Sequence, residues 1–441
     1  MNVNRRQFLR NASAATAVLA VAPWAPARAA GPRRISPNEK LNLGVIGVAG
    51  RGGDNLDGVK GQNIVALCDV DRTRLGAAAA RFPGAATFTD YRRLLDRKDL
   101  DGVVVSTPDH THAIIAIAGM QSGRHVYCEK PLTHTISELR RLTEVARKTG
   151  LVTQTGNQIH SGSNYRRVVE LIQSGAIGKV AEVHHWAGSA WDTHPLPKAE
   201  PVPATLDYDQ WIGPVIHRPY SSEWVPFNWR RWWHFGGGTL GDFVCHHTDL
   251  GMWALGLGTP SVIEAEGPPP DAECAPTWLQ VRYQFAATKT TPATTMHWYS
   301  GAKRPQIAGV PDLSKWGGGT LFVGDKGMLL ADYGRHVLLP EEKFKGSTPP
   351  PKTLADSVGH HEEWIRAVRG ENLALPQFAK WGRTNSPFAY GALLSELGML
   401  GNIAYRTGKR IEWDPVRLRA RNVPEADRLI HHEYRPGWKL G

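Results

Sequence analysis

A glycine-rich turn, Gly47-Val48-Ala49-Gly50-Arg51-Gly52, directly follows the apolar run from Leu41 to Ile46. Gly47 and Gly52 fall at the first and third positions of a G-x-G-x-x-G pattern, with Ala49 at the second. Between a strand and a helix, such a turn offers backbone N–H groups to a pyrophosphate. Gly47 permits the tight turn, and Gly52 lets the helix approach the strand. Ala49 adds a methyl where backbone and phosphate meet, which Gly50 next to it can relieve. A second apolar run ends at Cys68-Asp69, the interval at which a carboxylate reaches the adenosine ribose of a dinucleotide. The pattern predicts a dinucleotide site built from Gly47, Ala49, Gly50, Arg51, Gly52 and Asp69. A carboxylate at 69 repels a 2′-phosphate and favours NAD. Arg51 and Arg72 could offset that repulsion, so NADP stays open.

A second group lies in the run Gly236-Gly237-Gly238-Thr239-Leu240-Gly241-Asp242-Phe243-Val244-Cys245-His246-His247. On a helix, Asp242 and His246 stand at i,i+4 and share a face. Asp242 is expected to orient the imidazole, whose intrinsic pKa near ~6.5 suits proton transfer at neutral pH. A base of this kind takes the hydroxyl proton while hydride leaves an alcohol carbon. Asp242 as a helix N-cap is the plainer alternative, and at least one of His246 and His247 is expected to be structural. A metal set from His184, His185, His246 and Asp249 has no spacing that fixes its geometry, and no metal is expected.

Strand-like runs at 41–47, 63–68, 102–106, 125–128 and 151–155 alternate with helical stretches at 51–60, 71–81, 91–95, 111–122 and 137–149. This alternation predicts a doubly wound parallel α/β sheet whose strand carboxyl ends share one ligand-binding edge. Beyond Gly156 a helix near 165–174 precedes runs at 180–191, 260–266, 278–285, 294–299 and 320–323, which read as an open, mainly antiparallel sheet. The stretch 193–235 is rich in Pro and Trp and reads as an ordered loop over one face. A helix is predicted over 395–406, ending at Gly408. The expected divisions are a signal segment at 1–29, a polar arm at 30–40, a dinucleotide domain at 41–157 and a substrate domain at 158–441.

The formal charge of +11 falls to +7 once Arg5, Arg6, Arg10 and Arg28 are removed with residues 1–29. No run of basic residues suggests a nucleic-acid stripe. Cys68, Cys128, Cys245 and Cys274 show no C-x-x-C pairing and read as free, buried thiols. The start, Asn4-Arg5-Arg6-Gln7-Phe8-Leu9-Arg10, a short Ala-rich apolar run and Ala27-Arg28-Ala29, has the form of a twin-arginine export signal. The apolar run is too short and Ala-rich for a good membrane helix, so a periplasmic protein without a membrane anchor is expected.

Two further motifs are Ser106-Thr107-Pro108-Asp109-His110-Thr111-His112 and Cys128-Glu129-Lys130-Pro131. Taken with the glycine turn and the Gly236–Asp249 run, they resemble the Gfo/Idh/MocA family of oxidoreductases from Leu41 to about Trp413. Gly156-Asn157-Gln158-Ile159-His160 and Phe227-Asn228-Trp229-Arg230 look like an exported bacterial branch, with Asn157 and His160 candidates to line the cleft. The resemblance implies hydride transfer between NAD(P) and a carbinol carbon of a sugar or polyol. It implies that Thr107, Pro108, His112, Glu129 and Lys130 line the cofactor, with Lys130 beside the nicotinamide and Pro131 in cis. Near a cationic nicotinamide, Lys130 could have a lowered pKa and hydrogen-bond the reacting oxygen. Which of Lys130 and His246 takes the proton stays open. Relatives of this fold also cleave glycosides by transient oxidation and elimination, the second reading. The tryptophans of 186–233 suit sugar faces. A homo-oligomer and a tightly retained cofactor are further expectations. Replacing Arg5 and Arg6 with Lys is expected to block periplasmic delivery, checked by cell fractionation.

Overall fold

The structure is a computed structural model and describes residues 35–441 apart from 37, 190, 192, 290 and 432. The expected signal segment, and arm residues 30–34 and 37, lie outside the described residues. The first half alternates strands and helices: β1 (Asn42–Ile46), α1 (Arg51–Val59), β2 (Asn63–Cys68), α2 (Arg72–Arg81), β3 (Ala86–Phe88), α3 (Tyr91–Leu95), β4 (Gly102–Val105), α4 (Asp109–Gln121), β5 (His125–Glu129), α5 (Ile136–Thr149) and β6 (Thr153–Gly156). The six strands form one parallel sheet in the order β3-β2-β1-β4-β5-β6, the doubly wound arrangement expected from the alternation. Its central strands are buried along their length because helices cover both faces. α5 shows how local sequence sets an element. Thr135 and Glu138 form a reciprocal capping box at its start, and Gly150, at φ 64°, ends it in the left-handed region. The short β3 lacks an apolar run and was not anticipated.

The second half holds α6 (Ser163–Gln173), β7 (Val180–Trp186), α7 (Tyr208–Ile212), α8 (Gly238–Leu255), β8 (Val262–Glu266), β9 (Gln280–Phe285), β10 (Thr294–Tyr299), β11 (Gly319–Gly324), β12 (Gly327–Ala331), β13 (His336–Leu339), α9 (Glu341–Phe344), α10 (His360–Val368), α11 (Phe388–Thr407), β14 (Ile411–Asp414) and β15 (Arg419–Ala420). Nine strands form a sheet in the order β13-β12-β11-β7-β10-β9-β8-β14-β15, antiparallel except where β7 meets β10. Val183, Val281, Tyr283 and Met296 point from one face into a core shared with α6, α8 and α11. The predicted strand at 180–191 stops at Trp186, and the predicted helix at 395–406 begins earlier, at Phe388 after Pro387. Among the described residues no helix is long and apolar enough to cross a membrane. All four cysteines are free and buried, as expected.

The two halves interlock. Trp364 of α10 is fully buried beside Val104 and Tyr127 of the parallel sheet, and Phe388 of α11 lies in the core on its other side. Of the Trp-rich stretch, Trp233 joins the core of the nine-stranded sheet. Tyr208, Trp211, Trp224, Trp229 and Trp232 pack on one another as a small separate core. Backbone bonds from Arg72 N–H to Thr205 O (2.9 Å) and from Asp207 N–H to Val70 O (2.9 Å) tie that core to the carboxyl edge of the parallel sheet. Trp364→Ala is expected to lower unfolding stability by about 3–5 kcal/mol, the range for a buried Trp truncated to Ala, checked by urea unfolding.

Candidate active site

At the end of β1 the chain turns through Gly47 (φ 81°) and Gly50 (φ 55°) into α1. A Cβ on Gly47 would sit 2.6 Å from the Ser106 carbonyl oxygen, and one on Gly52 would collide with the Gly47 carbonyl oxygen. A Cβ on Gly50 meets nothing within 4 Å, so the turn faces open space in front of the α1 amino end. That is a cradle shaped for a pyrophosphate. Asp69 stands beside it, accepting from Val48 N–H (3.0 Å) and Asp71 N–H (3.0 Å). Burial raises its carboxyl pKa against those two bonds. Arg51 and Arg74 line the same cavity, Arg74 lying 3.4 Å from Asp71. Arg72 instead reaches the Ala204 carbonyl (3.4 Å), so Arg74 takes the place expected for Arg72.

Thr107 and Pro108 lead from β4 into α4, where Pro108 occupies the cap position. His112 joins the ends of β4 and β5: Nδ1 lies 2.7 Å from Pro131 O and Nε2 2.6 Å from Thr107 O. Burial pushes its pKa down to about 4, while the two carbonyl oxygens in contact call for an N–H on each ring nitrogen, and the ring braces this wall between β4 and β5. Glu129 is buried and accepts from Asn55 Nδ2 (2.8 Å) and Gln158 Nε2 (2.7 Å). Its pKa is raised by burial. The Lys130–Pro131 peptide is cis.

Lys130 donates from Nζ to Asp242 Oδ1 (2.7 Å) and to the Asp242 carbonyl (2.5 Å). Trp191 Nε1 donates to Asp242 Oδ2 (3.1 Å), and Arg230 stands 3.5 Å from Oδ1. Burial alone would raise the Asp242 pKa, but Lys130 and Arg230 overcome it and hold the carboxyl at about 2. Burial likewise opposes the charge on Lys130, yet Asp242, Glu129 and Asp109 leave its pKa above the ordinary lysine value. The carboxylate in contact opposes the lowering that a nearby cationic nicotinamide would cause.

Asp242 does not orient His246. The His246 Nδ1 lies 2.6 Å from Asn157 Oδ1, an atom that can only accept, so Nδ1 carries the proton and Nε2 keeps its lone pair. Burial, then the charge on Lys130, pushes its pKa well below the ordinary histidine value. His247 is the structural member of the pair, stacked on Tyr333 with centroids 5.2 Å apart. His160 does not line the cleft: it is fully buried, 3.0 Å from Asp249 and stacked on Trp253. Asp249 also accepts from the Tyr390 hydroxyl (2.5 Å), and successive side chains of β7 point His184 and His185 to opposite faces, so the four-residue metal set does not assemble.

Asp109 escaped the sequence reading although it sits inside the Thr107–His112 motif. It is buried on the cavity wall, and burial pushes its pKa up to about 8. Arg230 and Trp191 were also missed as site residues; the Phe227–Arg230 motif was their visible signal.

A single cavity of about 840 Å³ contains both the glycine turn and the Lys130–Asp242–His246 group. Residues 41–157 match an oxidoreductase family with an NAD-binding Rossmann fold, and residues 162–291 match its C-terminal alpha/beta domain. The chain belongs to the Gfo/Idh/MocA family. The family is one of oxidoreductases with an NAD-binding Rossmann fold. The chain is 30% identical to inositol 2-dehydrogenase of Salmonella typhimurium over 197 residues, 42% of this chain and 58% of the relative. It is 30% identical to an alpha-N-acetylgalactosaminidase of Shewanella oneidensis over 258 residues, 53% of this chain and 51% of the relative. The matches thus span a little over half the length of these relatives. The fold is also that of the WlbA dehydrogenase from Bordetella pertussis in complex with NADH and UDP-GlcNAcA. That likeness has a TM-score of 0.60 and 18% identity, covering 86% of this chain and 99% of the other. In this Gfo/Idh/MocA chain, Asp69→Ala is expected to narrow the preference for NAD over NADP by about tenfold or more, as a repelling charge is removed. Mass analysis of the nucleotide released on denaturation checks it.

Proposed function

We propose that this protein uses NAD to transfer hydride at a carbinol carbon of a sugar, polyol or glycoside. The observation that carries the reading is one cavity joining the pyrophosphate cradle to a charged lysine and a neutral histidine. The turn at Gly47–Gly52 would hold NAD, which would supply the hydride acceptor when bound. His246 Nε2 takes the hydroxyl proton, since Asn157 holds the ring in the tautomer that leaves that nitrogen unprotonated. Lys130, cationic, donates a hydrogen bond to the oxygen and steadies developing negative charge. Asp242 keeps Lys130 charged and aimed. Asp69 supports NAD over NADP. Trp191, Phe227 and Trp229 surround Arg230 at the cavity wall, with the Trp229 centroid 4.2 Å from the guanidinium carbon, and the exposed Phe227 ring offers a face for a sugar.

A second reading has a specific support. The similarity to an alpha-N-acetylgalactosaminidase is longer than that to the inositol dehydrogenases. In that case the sugar is oxidised, the aglycone eliminated, water added and the sugar reduced again, with hydrolysis as the net result. Both readings suit an exported enzyme that retains its cofactor, as the amino-terminal arginine pair suggests. Incubating nucleotide-loaded enzyme with a glycoside panel separates them: a ketosugar supports net oxidation, free aglycone the cyclic route, and no product neither.

His246→Ala is expected to lower turnover by about 10²-fold or more while nucleotide content is unchanged. The base must be neutral, and burial lowers the His246 pKa, so the acid limb of kcat/KM falls below ~6.5. Lys130 must stay charged, and its pKa is raised, so the alkaline limb lies above ~10.4. A pH–rate profile breaking near 6.5 would remove His246 as the base.

A further inference from the structure

The face of the nine-stranded sheet turned away from its helices carries a cluster unused by the chemistry above. β7 and β10 are central neighbours in that sheet and its one parallel pairing among the described strands. Their register sets His184 directly opposite His297. Side chains alternate along a strand, so Glu182, His184 and His297 share the outer face while Val183 and Met296 enter the core. The Nε2 atoms of both histidines converge on one carboxylate oxygen: Glu182 Oε1 lies 3.1 Å from His184 and 3.2 Å from His297. Ligand atoms of all three residues lie within 4.8 Å of one another.

His184 is 2% exposed, and its Nε2 has no hydrogen bond, the contact with Glu182 being badly aligned for one. A buried ring nitrogen left without a partner is costly and calls for an occupant. The other nitrogen, Nδ1, lies 3.1 Å from the Tyr299 hydroxyl. If Nδ1–H donates to that oxygen, Nε2 presents a lone pair toward Glu182, the outer-shell arrangement typical of metal-binding histidine.

We propose that Glu182, His184 and His297 bind one divalent transition-metal ion of the zinc class, with a fourth position left for water. Two imidazoles and a carboxylate are a zinc donor set, whereas magnesium and calcium require oxygen ligands throughout. Tetrahedral ligands at 2.0–2.1 Å from zinc stand roughly 3.3 Å apart, close to the two carboxylate–imidazole separations already present. The two rings are stacked within 13° at 4.7 Å, so binding turns them about their side-chain bonds until both lone pairs meet the ion. Glu182 is 40% and His297 23% exposed at the side chain, which gives the ion a route in. The ion would clamp the parallel pair at the middle of a sheet otherwise held by antiparallel ladders. Sequence spacing gave no hint of this set, because its members come from strands more than a hundred residues apart.

The test uses the untagged chain with its nucleotide, stripped with EDTA and dialysed against zinc, with bound metal counted by mass spectrometry. One zinc per chain at micromolar concentration is expected, with a rise in melting temperature. His184→Gln/His297→Gln should weaken binding by about 100-fold or more and abolish that rise, while His217→Gln, at an exposed site, should change neither. Glu182→Gln, a conservative change at a part-exposed residue, should weaken binding about tenfold without altering the metal-free melting temperature, and it serves if the double variant misfolds. Absence of stoichiometric zinc in the parent chain, or undiminished binding in the histidine and Glu182 variants, overturns the proposal.

Discussion

The contact between Lys130 and Asp242 joins the two halves of the molecule at the point where they meet the cavity. Lys130 ends a strand of the parallel sheet, and Asp242 lies in the first turns of α8 beneath the nine-stranded sheet. The pair is nearly buried, with side chains 11% and 15% exposed. Burying two charges is expensive, and such a pair often adds nothing to net stability compared with apolar packing. Removing one partner leaves the other uncompensated, at about 3–5 kcal/mol. The arrangement makes sense as positioning: it holds an ammonium in a largely dry cleft, charged and aimed, where its hydrogen bond is worth more than in water.

Positioning of this kind works only if both halves keep their relation. α10 and α11 fall between β13 and β14 of the nine-stranded sheet in the chain, yet Trp364 and Phe388 fill cores on opposite faces of the parallel sheet. The Trp-rich stretch is bonded to the carboxyl edge of β2 and contributes Arg230, and Trp191 just before it joins the same cavity. A reacting group misplaced by one ångström can cost about 10²-fold in rate, so interleaved cores serve the chemistry as directly as they serve stability.

Most of the parallel sheet was legible because β1, β2, β4 and β5 are short apolar runs closed by turn signals, and the glycine turn carries steric demands in its own letters. Gly47 and Gly52 do face carbonyl oxygens that leave no space for a Cβ. The second sheet was less legible, since β12–β14 are short and only partly apolar, and α10 gains its place by packing on the other half. The site failed in the same way. The i,i+4 spacing correctly put Asp242 and His246 on one helix, but spacing along a helix is silent about partners from elsewhere. Lys130 comes from 112 positions away and Asn157 from 89, and both outcompete the local pairing. An ammonium satisfies a buried carboxylate more fully than a neutral imidazole does, so Asp242 goes to Lys130 and His246 must find a neutral acceptor.

That exchange of partners also separates the acid–base roles. Had Asp242 held His246, the carboxylate would have favoured imidazolium and raised the pKa of the base. Paired with Lys130 instead, it keeps the lysine protonated, and the lysine's charge adds to burial in keeping His246 neutral. One carboxylate therefore moves two neighbouring groups apart, a cation ready to donate and a base ready to accept at the same pH. Asn157 completes the division with an oxygen that accepts the Nδ1–H hydrogen bond but brings no charge, so orientation is gained without a carboxylate to stabilise imidazolium. The same logic bears on Asp109, whose raised pKa leaves it largely protonated at neutral pH. A second full negative charge beside Asp242 would compete for Lys130 and Arg230, and a neutral carboxyl there leaves both cations to their present partners.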